Sequence, residues 1–300
     1  NCTAAVLRAK SCVMKTATSV QENAGDILAE AKQINEDRAV EAEAEVVDDF
    51  CETEETAEDT AEADTAEADT AEAEAETETE NAATAEGVMS YADYVAAAVD
   101  TEVCVETYVQ AKQAWWEDNG VGQATFYTQN QDGAFFVYNL PCSQEDYDKL
   151  VPGTKIKVTG FKSEWSGEVE ITDATYEIED TDTFVADAKD VTDLLGKDEL
   201  IDYQNQFVSF KGMTVEAAND AGDAFLYKWD GSGTEGDDLY FNVSLDGNTY
   251  TFTVESYLCD KDSDVYKAVQ NLKVGDVVDM EGFLYWYEGV NPHITSVSVQ

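Results

Sequence analysis

Histidine occurs once in this 300-residue chain, at His293. Basic residues are scarce: 17 Lys and Arg stand against 65 Asp and Glu, for a formal net charge of −48. None of the cysteines (Cys2, Cys12, Cys51, Cys104, Cys142 and Cys259) forms a CxxC pair. A zinc site needs clustered Cys and His ligands, so no metal site is expected. Scattered disulfides remain open, and a small buried thiol is the expected state of Cys142 and Cys259. No phosphate-cradling GxxxxGK(S/T) loop occurs, and no Ser or Cys nucleophile has a base visible beside it. A non-catalytic protein without a cofactor is therefore expected, with His293 structural or exposed.

No run of about 18 apolar residues exists, so no membrane-spanning helix is expected. The opening NCTAAVLRAKSCVMK lacks an apolar signal core, and a chain starting at Asn1 reads as processed or truncated. The acidity is spread along the chain. Residues 1–87 hold 25 acids and 5 bases, residues 88–180 hold 17 and 5, and residues 196–300 hold 19 and 6. Such a surface repels nucleic acid and anionic lipid at long range.

What is abundant first is DTAEA, three times in succession at 59–63, 64–68 and 69–73. Its period of 5 matches neither a helix face nor a strand face. With no large apolar side chain between Glu52 and Gly87, this stretch has nothing to bury against its ordering entropy. It reads as a disordered acidic spacer. Upstream, residues 26–47 carry Ile27, Ala31 and Ile34 at helical spacing, a marginal amphipathic helix.

From Val88 the composition turns aromatic and β-branched. Gly153, Gly160, Phe161, Trp165 and Gly167 match Gly275, Gly282, Phe283, Tyr287 and Gly289 at one constant offset (275 − 153 = 289 − 167 = 122), a duplication. Upstream of each block, FYTQNQDGAFFVYNL and LYFNVSLDGNTYTFTVE read as hairpins around Asp-Gly turns. Each hairpin is preceded by a long strand (102–113 and 206–217). Each is followed by a short helix start, capped by Ser143 or Asp260. Three strands, a helix and two strands is the order of an OB-fold, a five-stranded Greek-key barrel. Gly160 and Gly282 inside the fourth strands suit the bulge such a barrel needs.

The expected architecture is mainly β. An acidic low-complexity segment occupies 1–87. OB-like barrels span 88–180 and 206–300, each with a short helix between strands 3 and 4. A helical linker at 181–205 joins them. ETYVQAKQAWW, VPGTKIKVTGFKSEWSGEVEITDATYEI and VYKAVQNLKVGDVVDMEGFLYWYEGVNPHITSVSV resemble the tandem OB-fold proteins of Gram-positive gut bacteria. The resemblance covers about 88–300. It implies a secreted, cell-surface or lipoprotein-like protein with no known ligand. No lipobox-like apolar run precedes Cys2.

Candidate site residues cluster in the first barrel. Lys112, Lys155, Lys157 and Lys162 are set to converge near Trp115, Trp116 and Trp165, in the loops that flank the usual OB ligand face. The same residues also suit a structural role, with tryptophans closing the barrel ends. In the second barrel Val277, Asp279 and Glu281 replace Lys155, Lys157 and Thr159, while aromatics Tyr285, Trp286 and Tyr287 remain. Its longer first loop, 219–238, carries Phe225, Tyr227 and Trp229, as a binding loop or as an extra hairpin folded on the barrel. Asp260, Asp262 and Asp264 have the first spacings of a calcium loop but lack its glycine and glutamate, as does Asp230, so caps and a solvated loop are expected there. The partner is an unknown small ligand: a sugar, cell-wall fragment or peptide. Single-stranded nucleic acid through the Lys/Trp patch is the alternative, disfavoured by charge. A structural, protein-binding role is the third reading.

Overall fold

A computed structural model describes residues 87–300. The acidic segment with its DTAEA repeats and the helix expected at 26–47 lies outside the described residues. Residues 84–117 and 121–300 cluster as one compact unit.

The first sheet contains β1 (Glu102–Lys112), β2 (Trp116–Asp118), β3 (Val121–Gln129), β4 (Ala134–Pro141), β5 (Thr154–Trp165) and β6 (Glu168–Thr183). Helix α1 (Tyr91–Ala96) precedes it, and α2 (Gln144–Lys149) joins β4 to β5. Strand β1 pairs with both β3 and β5, β5 with β6, β4 with β3, and β4 runs parallel to β6. That circuit closes a five-stranded OB barrel. The second sheet repeats it with β8 (Phe207–Glu216), β10 (Leu239–Leu245), β11 (Asn248–Val254), α3 (Asp264–Gln270), β12 (Val277–Phe283) and β13 (His293–Val299). Strand β8 pairs with β10 and β12, β12 with β13, and β11 meets β13 in parallel at Thr253 and His293. Short β7 (Lys189–Asp190) and β9 (Leu226–Tyr227) extend its edges.

The two glycines of the fourth strands sit at bulges. Their need is close approach. A Cβ on Gly160 would lie 2.8 Å from the Thr172 carbonyl oxygen, and one on Gly282 would lie 2.2 Å from the His293 carbonyl oxygen. Both barrels therefore press the fifth strand onto a bare backbone in the fourth.

Three details differ from the sequence reading. The helical linker takes 3-10 form. Strand β6 runs on to Thr183, and the bridge consists of 3-10 turns at Thr192–Leu194 and Asp198–Tyr203. Gly196, with a φ of 77°, lies between the turns and interrupts any continuous helix. Ser143 does cap α2, but α3 is capped by Ser263, whose Oγ accepts the Tyr266 N–H. Asp260 instead accepts the Asp262 N–H at 2.9 Å in a tight turn before the cap. Helix α1 was not expected at all. Ser90 caps it, and its Tyr91 and Tyr94 rings meet Phe135 at 5.5 and 4.9 Å.

Each barrel encloses its own core. Val105, Phe126, Phe135, Ile156 and Val158 fill the first, and Phe210, Phe241, Val243, Phe252 and Met280 fill the second. A third apolar cluster lies between the barrels. Tyr127 and Phe136 from barrel 1 pack against Phe283, with Tyr138, Phe207, Leu258 and Tyr285 around them. Strands β3 and β4 show why. Residues 124–129 and 134–137 are buried without alternation, so both faces of this hairpin are covered. The inner face fills the barrel and the outer face fills the joint.

Gly282→Ala is expected to cost about 1–3 kcal/mol, because the added methyl meets backbone that has no rotamer to move. Urea denaturation of the two proteins checks this.

Candidate ligand surface

In an OB barrel the outer face of strands 2 and 3, and the loops after strands 1 and 4, form the usual binding side. In barrel 1 that face is β3–β4, and it lies against barrel 2. The Tyr127 ring sits 4.7 Å from Phe283, and Phe136 sits 5.3 Å from Tyr285. The Tyr127 hydroxyl hydrogen-bonds His293 Nδ1 at 2.6 Å and accepts from Gln113 Nε2 at 3.2 Å. Burial pushes His293 down to about 3, which keeps it neutral. The Tyr285 ring stacks on it at 4.2 Å.

The loops after the fourth strands also meet. Trp165 lies 5.2 Å from Tyr287, Trp286 covers Gly167, and the Glu288 N–H donates to the Ser166 carbonyl at 2.7 Å. Trp286 donates its own N–H to Glu168 Oε2 at 2.9 Å. Tyr285 and Trp286, chosen from sequence as ligand candidates, are thus joint residues. Tyr287 and Trp165 form its rim, Tyr287 remaining 44% exposed.

The four lysines of barrel 1 are brought to different places and do not form one basic patch. The Lys162 ammonium is 7% exposed and donates to the carbonyls of Tyr94, Val95 and Ala97 at 3.0, 2.9 and 2.7 Å, closing the C-terminal end of α1. Burial pulls its pKa below the usual lysine range. Lys112 lies over the Tyr147 ring, 3.8 Å from its centroid, and donates to the Tyr147 carbonyl. Burial lowers it as well. Lys155 is held by Glu106 at 3.0 Å, Glu179 at 3.1 Å and Asp182 at 3.7 Å. The Glu106 contact, foremost, raises its pKa. Lys157 stands in register between Glu106 on β1 and Glu177 on β6. Trp115 donates its indole N–H to the Cys142 carbonyl at 3.0 Å and packs on Gly122, closing the barrel end. Trp116 is 38% exposed at the start of β2.

Barrel 2 keeps its corresponding side open. On β10 the burial alternates, with Phe241 and Val243 inside and Tyr240, Asn242 and Ser244 outside. Their β11 partners are Thr253, Thr251 and Thr249. The β10 and β11 positions of this outer face carry no charge, and the neighbouring β8 brings one carboxylate, Glu216, which accepts from Ser244 Oγ at 2.6 Å. Asn242 Oδ1 accepts from Thr251 Oγ1 at 2.8 Å, and Asn242 Nδ2 donates to the Ala217 carbonyl at 3.0 Å. Strand β9 continues the sheet from β10, so the long first loop folds back as a short hairpin. A groove of about 450 Å³ opens along it, lined by Asn219, Asp223, Phe225, Tyr227, Asp230 and Leu272 among others. The Phe225 and Tyr227 rings meet edge to face at 5.3 Å, and the Tyr227 hydroxyl accepts from Gln270 Nε2 at 2.9 Å. Ser232 hydrogen bonds hold the Asp230 carboxyl below its usual range, so it is ionised. Between Tyr227 and Asp230 the chain turns at Lys228 (φ 64°) and presents Trp229, 71% exposed. Tyr227 and Trp229 are among the candidates named from the sequence, and the β10–β11 face is not. Its signal was the alternation in LYFNVSL and NTYTFTV, where the outward positions are Tyr, Asn, Ser and Thr.

The family of unknown function DUF6110 matches residues 1–57, ahead of the described barrels. No curated protein matches the chain. Solved structures with similarity include a murine DNA binding protein bound with ds DNA (13% identity, 65% of this chain and 94% of that chain, TM-score 0.31). They also include the Ifi202 HINa domain in complex with 20bp dsDNA (12%, 67% and 98%, 0.30). A replication protein A heterotrimer bound to ssDNA covers 65% of this chain and 50% of its own (14%, 0.26). At these TM-scores the overlap carries no argument about what this chain binds.

Lys162→Met is expected to loosen α1 and to cost about 1–3 kcal/mol, since three carbonyls lose their donor. Lys157→Met is expected to stay within about 0.5 kcal/mol of the parent. Thermal unfolding gives the ranking, and limited proteolysis around residues 91–97 locates the loss.

Proposed function

We propose that the protein is a non-catalytic binding module whose ligand surface is the second barrel, and that its ligand is an uncharged polyhydroxyl compound of the sugar class. The observation that carries this reading is the contrast between equivalent faces. The β3–β4 face of barrel 1 is filled by barrel 2, whereas the β10–β11 face is open, uncharged on its strands, and continuous through β9 with an aromatic groove. Sugars are held by an aromatic plane against their C–H face and by amides, hydroxyls and carboxylates around their rim. Tyr227, Asn219, Asp223 and Asp230 line the groove, and Trp229, exposed in the same loop, adds an indole next to Asp230 in the chain. The carboxylates oppose an anionic ligand, and the engaged lysines of barrel 1 offer no polyanion track. The sequence resemblance to secreted and surface proteins is in keeping with a module that meets glycans outside the cell.

Tryptophan fluorescence of the full chain against a panel of neutral oligosaccharides is the test, at low and moderate salt. A saturable shift that does not change with salt is expected. Trp229→Ala is expected to weaken it at least tenfold, about 1.4 kcal/mol. An unchanged response in that variant would remove the reading. Binding of single-stranded DNA with a steep loss as salt rises would replace it with a nucleic-acid function.

A further inference from the structure

Glu168 opens β6 at the joint, and its side chain is fully buried (0% exposed). Its Oε2 accepts from the Trp286 N–H at 2.9 Å and from Gln204 Nε2 at 3.3 Å, both beyond barrel 1. Its Oε1 has no hydrogen-bond partner, and neither has Asn205 Oδ1. The Asn205 side chain also reaches this carboxyl, and its hydrogen bond and that of the Trp286 N–H pull the pKa down against the larger effect of burial. Turning the Asn205 amide does not resolve the pair. Nδ2 donates to the Val169 carbonyl at 3.1 Å, and Oδ1 in its place would face a second acceptor. A proton on Glu168 Oε1 would give that oxygen a hydrogen to donate, and Asn205 Oδ1 is a buried acceptor without a donor.

The charges around the carboxyl do not favour ionisation. Glu170 lies on the same strand, and Tyr94 of α1 and Tyr127 of β3 feel the Glu168 charge. Lys162, 5.2 Å from the Tyr94 ring centroid, is engaged by three carbonyls, and the acid acting on it is Glu164. From the barrel 2 side the facing groups are the Trp286 backbone, Gln204 and Asn205, all neutral.

We propose that Glu168 is a proton-dependent latch: protonated, it ties barrel 1 to Asn205 and Trp286, and ionised, it lets the barrels part. Burial, foremost, holds this carboxyl well above its ordinary value of 4.5. In an opened joint water reaches it and the ordinary value returns. The closed form then binds the proton more tightly. Closure is unaffected below pH 4.5 and weakens by up to tenfold per pH unit above it, until the closed form itself ionises. His293 acts with the opposite sign. Tyr127 and Tyr285 enclose it, Glu255 is the acid acting on that Tyr127, and burial lowers the imidazole from 6.5 to about 3. Its contribution to closure is present above pH 6.5 and is lost as pH falls from there towards 3. Between 4.5 and 6.5 the two slopes cancel. Above 6.5 His293 adds no slope, and any slope that remains there is that of Glu168, which opens the joint towards the alkaline side.

Amide hydrogen exchange at pH 5.5 and 8.5, corrected for intrinsic exchange, tests this on the full chain. The N–H groups of Trp286, Glu288, Phe207 and Ala114 each bond across the joint. Their protection is expected to fall at least tenfold at pH 8.5, while the β1–β5 and β8–β12 ladders keep theirs. Glu168→Gln supplies a permanent amide donor to Asn205 Oδ1 and is expected to hold joint protection at both pH values. Unchanged protection in the parent would overturn the latch, and so would simultaneous loss in joint and ladders. If Glu168→Gln folds and its joint opens in parallel with the parent, the latch falls as well. If that variant does not fold, the parent's two pH values decide alone.

Discussion

The arrangement of the two barrels follows from one packing constraint: the β3–β4 hairpin is covered on both faces. A hairpin with Phe126 and Phe135 inward and Tyr127 and Phe136 outward cannot leave its outer side in water without exposing two large aromatic surfaces. The second barrel removes that surface from solvent. In doing so it occupies the place where an OB domain would hold a ligand, and it converts two barrels into one body with one open face.

The same constraint reassigns charge. Lysines in an acidic protein suggest a local exception, and the residues that seemed to make one are each answered at close range. Lys155 has three carboxylates, Lys162 has three carbonyls, and Lys112 has an aromatic ring and a carbonyl. These contacts hold a strand ladder, a helix end and a loop in place. On the β10–β11 strands of barrel 2 the outward side chains are of a different chemistry, hydroxyls and amides, on an otherwise acidic domain.

The barrels were legible because their signals are local. Glycines at a constant offset of 122, alternation around Asp-Gly turns, and a cap before each short helix all depend on neighbours within a few residues. Gly160 and Gly282 even marked the bulges that the structure contains. The joint was not legible, because Tyr127 meets His293 across 166 residues and no local pattern encodes that distance. The apolar run in TQN-flanked FFVY hinted at two-sided burial, but a short run cannot say what covers it. The fate of Lys162 was hidden for a simpler reason. Its partner, α1, was itself missed, since YADYVA has too few turns to announce a helix.

The strand-face contact also has a handedness of assembly. Barrel 1 offers its β3–β4 face, and barrel 2 answers with Phe207, Phe283 and Tyr285, which belong to other strands and loops. Such a head-to-tail contact does not close on itself. Repeated with the same surfaces it would add barrel after barrel into a filament. The outer face of the second barrel has a different composition. Where barrel 1 presents Tyr127, Phe136 and Tyr138, barrel 2 presents Asn242, Ser244, Thr249 and Thr251. The two copies therefore differ most on this face, and the aromatic surface that makes the contact in the first is replaced by amides and hydroxyls in the second.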